Sequence, residues 1–172
     1  MAGSRNDPTR LFNSALAAFR AGNGPQAAKL ARRLSKAAAN DPATWELRAM
    51  IASASGGYQD AMKFWKRATN LAPHSISALN NLGGSYRQLG KHDAAVECYE
   101  KSLSIEPGQP DTFFNLGAAH IARDDVQAGR EAYEKGLELR PNDRDMRLNL
   151  SSALMKLGEL EGALSEYRQL IE

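Results

Sequence analysis

The feature that most constrains this chain is a period. Pro73, Pro107 and Pro141 fall thirty-four residues apart, and rows of that length bring ALNNLGGSYRQLGKHDAAVECYEKSLSIEP over TFFNLGAAHIARDDVQAGREAYEKGLELRP, with MRLNLSSALMKLGELEGALSEYRQLIE below. A period of this length signals a small unit stacked on copies of itself. Each row has apolar or small residues at helical spacing, then a break (Gly90; Asp124 with Asp125; Gly158), then a second helical pattern. The unit is therefore a helix hairpin.

Columns repeat as well. Ala95, Gly129 and Ala163 share one, Tyr99, Tyr133 and Tyr167 another, and Gly83, Gly117 and Ser151 a third. Small residues let the two helices of a hairpin approach, and the ring four residues later covers the gap. The stretch ATWELRAMIASASGGYQDAMKFWKRATNLAP fits the same frame, with Arg48 where the later rows hold leucine. The first unit reads as looser, with Phe12, Ala15, Leu16 and Phe19 in place, about two extra residues in its second helix and a connection shortened at Pro42.

These rows resemble the tetratricopeptide repeat (TPR) family, whose unit is a thirty-four-residue helix-turn-helix with Leu-Gly, Tyr, Ala, an aromatic and a final proline. Leu79, Leu82-Gly83, Tyr86, Ala95, Tyr99 and Pro107 carry the match in the third row, while His120, Gly129 and Gly136 depart from it. The resemblance implies an all-α, right-handed superhelical solenoid of about five units. Their expected bounds are about 9–41, 42–75, 76–109, 110–143 and 144–172, forming a single domain after a flexible N-terminus over residues 1–8. First helices would line a concave groove.

Asn81, Asn115 and Asn149 recur in a column that the family's geometry points into that groove. Each amide offers a donor and an acceptor, a ladder suited to the backbone of an extended peptide. It looks like the ladder in the repeat domain of O-linked N-acetylglucosamine transferases. Three residues on stand Ala17, Met50, Gly84, Ala118 and Ser152, all small except Met50, which leaves room for a ligand backbone. The other expected groove positions are Asn13, Arg20, Leu47, Asn80, Arg87, Phe114, Ile121, Leu148, Met155 and Lys156. Asn13, Asp111 and Asp145 hold the places where a co-chaperone carboxylate clamp would need cations, which argues against that subtype.

Other chemistries lack their residues. A net charge of +2 is too small for a nucleic-acid footprint, although residues 1–41 hold seven Lys/Arg against two Asp/Glu and residues 110–143 four against seven. Cys98 is the single cysteine, so no disulfide or zinc pattern exists, and a reducing, cytoplasmic setting fits. His74, His92 and His120 fall in different columns, which argues against a shared metal, and His120 is expected inside its hairpin with Asp124 in the turn beyond. Asp124 and Asp125 are expected to cap the next helix. No run is apolar enough to span a membrane, and the start lacks a signal peptide's apolar core.

The expected function is a non-enzymatic protein-protein interaction module, without cofactor or metal, that binds an extended peptide or partner segment. The alternatives are a substrate-recruiting arm of a larger glycosyltransferase or sulfotransferase, or a self-assembling scaffold. The last row stops inside its second helix, and Ala163, Leu164, Tyr167, Leu170 and Ile171 are expected to leave an apolar face uncovered. Two expectations follow: the chain is a fragment of a longer protein that covers this face, or the uncapped C-terminal end forms a homo-oligomer.

Overall fold

The computed structural model describes residues 7–171. The tail read as residues 1–8 lies outside the described residues up to residue 6, while Asp7 and Pro8 start the first helix. Ten helices follow in order: α1 (Pro8–Arg20), α2 (Gly24–Ala37), α3 (Pro42–Ala54), α4 (Tyr58–Leu71), α5 (Ile76–Gln88), α6 (His92–Ile105), α7 (Pro110–Ala122), α8 (Val126–Leu139), α9 (Arg144–Leu157) and α10 (Leu160–Arg168). No strand occurs among the described residues, in line with the all-α expectation.

Local chemistry sets the register. Asp7, Asp41, Ser75 and Asp143 each precede a first helix and accept from a backbone N–H in its first turn. Each such cap is worth about 1 kcal/mol. Between the helices of a hairpin the chain turns through a left-handed residue at Gly22, Gly56, Gly90, Asp124 and Gly158. Asp124 is the one non-glycine there, at φ 65°. Asp125 alone of the acidic pair caps the following helix, accepting from Ala128 N at 3.3 Å.

The first repeat is as regular as the rest, which corrects the looser reading from sequence. Helices α1 and α2 begin one repeat length before α3 and α4 and match them in length. Pro42 marks no shortened connection. It opens α3, as Pro8 opens α1 and Pro110 opens α7, because a helix's first turn tolerates a missing N–H. The place of the closing proline is taken by Ala39, whose carbonyl accepts from Trp45 Nε1 at 2.8 Å.

The helices divide into two compact units between Leu89 and Gly90. In the first, Leu11, Ala15, Ala27, Ala31, Leu34, Leu47 and Ile51 form a buried cluster. In the second, Tyr133, Leu137, Met146, Leu150, Leu154 and Ala163 do the same, with Phe114 and Ile121 packed against them. Within each unit consecutive helices pack on one another, α3 on α4 and α7 on α8 most extensively. Ala163, expected to be uncovered, is buried because α10 packs on α9, while Leu164 and Ile171 are exposed.

Candidate functional site

The recurring asparagines share one geometry. On α5, Asn81 Nδ2 donates to Ser77 O at 2.8 Å; on α7, Asn115 Nδ2 donates to Asp111 O at 2.9 Å; on α9, Asn149 Nδ2 donates to Asp145 O at 2.8 Å. A carbonyl can only accept, so the NH₂ end must face it and the orientation of each amide is fixed by chemistry. The bond back to the preceding turn restrains the side chain and explains how a weak helix former is accommodated there. The Oδ1 of each amide faces away from this bond, and Asn81 Nδ2 also donates to Ser77 Oγ at 3.4 Å.

The column is broken in the second repeat. Leu47 is only 2 % exposed and belongs to the first unit's core cluster, so its reading as a groove position is overturned. An apolar side chain in that column stabilises the fold most by packing against Leu11 and its neighbours, at roughly 25 cal/mol per Å² buried.

The remaining expected positions divide by unit. In the first, Met50 on α3 is exposed, Gly84 on α5 is half-buried, and Arg87 keeps its Nε buried without a hydrogen-bond partner among the described residues. In the second, Ala118 on α7 is half-buried, and on α9 Ser152 is exposed with its hydroxyl donating to Leu148 O at 3.1 Å. Leu148 and Met155 are about half exposed and Lys156 is exposed. Phe114 and Ile121 serve the hairpin too. Phe114 meets Tyr133 with ring centroids 6.1 Å apart, and Ile121 covers Gly129, where a Cβ would come within 2.6 Å of its Cδ1.

Two polar arrangements at the base of α7 were not found from sequence. Gln109 gathers the loop before α7: its Nε2 donates to Ser102 O and Glu106 O, and its Oε1 accepts from the hydroxyls of Ser102 and Thr112. Arg140 Nη1 bridges Asp111 Oδ1 at 2.7 Å and Asp143 Oδ2 at 3.1 Å, tying the start of α7 to the cap of α9. The Arg140 hydrogen bond holds the Asp111 carboxyl below its ordinary range, against a smaller opposing effect of burial. Only paired charges separated along the sequence could have signalled this bridge, and many such pairs exist.

His120 is mostly buried and its Nδ1 lies 3.6 Å from Asp125 Oδ2, so its acidic neighbour is Asp125 and not Asp124. No group of three or more His, Cys, Asp or Glu able to hold a metal occurs among the described residues. Burial pushes the Cys98 thiol up to about 11, with Glu97 adding and Lys101 opposing, so it stays protonated at neutral pH. Among the described residues no helix is long and apolar enough to cross a membrane.

Solved structures share this arrangement of helices. A MamA crystal structure matches with a TM-score of 0.91 at 18% identity, covering 95% of this chain and 90% of that one. MamA from Desulfovibrio magneticus RS-1 matches with a TM-score of 0.90 at 19% identity over 96% of this chain and 94% of that one. MamA of AMB-1 gives 0.81 at 21% identity over 95% and 96%. At these identities the likeness concerns the fold alone, and no curated protein sequence matches the chain. Tetratricopeptide repeat profiles match residues 76–109 and 114–172, together more than half of the sequence, and with the thirty-four-residue register they show that the chain belongs to the tetratricopeptide repeat family, which supports a protein-protein interaction or scaffold module.

Proposed function

We propose that the first-helix faces of each unit bind extended peptide segments of a protein partner, Asn81 holding main chain on the first unit and Asn115 with Asn149 on the second. The observation that carries this is the shared back-bond of the three amides to the carbonyl four residues earlier, which restrains each Oδ1 on its own helix. Each amide-peptide bond contributes a net 0.5–1.5 kcal/mol, roughly, and an amide already restrained on its own helix loses less side-chain freedom on binding. The small residues Gly84, Ala118 and Ser152 leave space for the ligand backbone. Leu148 and Met155 offer apolar surface to its side chains.

The test is alanine at all three asparagines, measured against a peptide selected from a random library on the wild-type chain. Affinity should fall at least about tenfold with helicity and melting nearly unchanged. Unchanged affinity would remove the amides from the site, and loss of helicity would assign them to the fold instead.

A second reading, self-association as a scaffold, is favoured by Leu160, Leu164 and Ile171, which are 67 %, 52 % and 85 % exposed. It expects a mass that rises with concentration in light scattering and returns to the monomer in Leu160→Glu/Leu164→Glu. A constant monomer mass excludes it.

A further inference from the structure

One buried column changes character in the second repeat. Leu82, Leu116 and Leu150 occupy it in later repeats and are at most 8 % exposed, whereas the second repeat holds Arg48. The guanidinium does not escape to solvent. It stacks on Phe64 of α4, 3.9 Å from the ring centroid, lies 5.3 Å from that of Trp45, and donates through Nη1 to Ser35 Oγ on α2 at 3.0 Å. Ser35 in turn donates to the Arg32 carbonyl at 3.0 Å. Stacking covers a face of the guanidinium and leaves donors along its edge.

Arg48 also lines a cleft of about 190 Å³ between α2, α3 and α4, together with Arg32, Phe64, Asp60 and small alanines. The two cations lack compensation. Neither Arg32 nor Arg48 has a carboxylate within ion-pairing distance among the described residues, and Asp60, the acid in the cleft, pairs with Lys63 at 3.2 Å. Burial, followed by the charge of Arg32, holds Arg48 below its ordinary range, with Asp60 opposing. A third arginine, Arg67, stands 5.9 Å from the Trp45 ring centroid.

The repeat architecture does not demand this. Two repeat lengths later, the cleft between α6, α7 and α8 is lined by Glu100 in the place of Arg32, Leu116 in that of Arg48, Ala128 in that of Asp60 and Ala132 in that of Phe64. The later cleft thus lacks both arginines, and its cation is Lys135 at another position.

We propose that the cleft between α2, α3 and α4 is a binding site for a carboxylate side chain in an acidic segment of a protein partner, held by Arg48 and Arg32. A planar carboxylate matches the guanidinium edge, which can donate two parallel N–H bonds to its two oxygens. The site is independent of the asparagine faces, since none of its residues lies in their column.

The test follows the arginine Nε–H signals of the ¹⁵N-labelled full chain by NMR. An acetylated, amidated Gly-Glu-Gly-Glu-Gly peptide should shift the Arg48 and Arg32 signals saturably, while its glutamine counterpart and inorganic phosphate at equal concentration should not. Arg48→Leu, which installs the residue of the later repeats, should keep the fold and weaken binding at least about tenfold. Arg32→Gln, at an exposed position, should weaken it by a smaller factor and serves as the second probe. The proposal is overturned by an absent or unsaturable shift, by equal binding of the glutamine peptide, by preference for phosphate, or by unchanged affinity in both variants.

Discussion

Gly117 lies directly beneath the ring of Tyr133: a Cβ on this glycine would stand 2.6 Å from Tyr133 Cε1 and 2.7 Å from Cδ1. The ring is 2 % exposed and held against Phe114, so it has nowhere to move. Gly117→Ala should gain about 1 kcal/mol in helix propensity and lose roughly 1–3 kcal/mol to overpacking. Net destabilisation is expected in chemical denaturation. A stabilised variant would show that the ring can yield.

Gln109 is expected to matter more than a loop residue usually does. Gln109→Ala removes the acceptor of the buried Ser102 and Thr112 hydroxyls and two donors to loop carbonyls. The expected cost is about 1–3 kcal/mol, the range for disrupting buried hydrogen bonding. Urea melts of the variant check it, and a loss within the scatter of ordinary surface substitutions would contradict the network's role.

Cys98 should be a slow thiol. With its pKa raised to about 11, reaction with an aromatic disulfide reagent should be slow at pH 8 and accelerate only as pH approaches that value. Since the folded value exceeds the unfolded one, the associated stability is complete below the ordinary thiol range and is lost as pH rises through about 11. Rapid labelling of the folded chain at pH 7.5 would refute the assignment.

Asp111 should titrate below the ordinary carboxylate range in a carbon-detected NMR titration, and Arg140→Gln should move it back up. Its folded value is lowered, so the pair's contribution is present above the unfolded carboxylate pKa and lost as pH falls through the folded one. Because Asp111 and Arg140 are exposed, added salt should weaken the effect. An Asp111 titration indifferent to Arg140→Gln would assign the shift elsewhere.

Much of the fold was legible because its determinants are local. Left-handed turns at Gly56, Gly90 and Gly158, small columns and aromatic columns recur at one spacing, and each acts within a few residues of itself. The shortened connection expected at Pro42 shows the limit. A proline can end one helix or begin the next, and only the cap at Asp41 and the bond from Trp45 to Ala39 decide between them.

The sequence by itself determined the repeat, its hairpin and the positions of Asn81, Asn115 and Asn149, because side-chain period and turn chemistry are written along the chain. Tertiary structure decided what those positions do. It turned each amide back on its own helix, drew Leu47 into the core while the neighbouring Arg48 came to lie between Phe64 and Ser35, and brought Arg140 to Asp111. Such choices depend on the size and charge of residues that packing brings close from distant parts of the chain, and a period along the sequence carries no record of them.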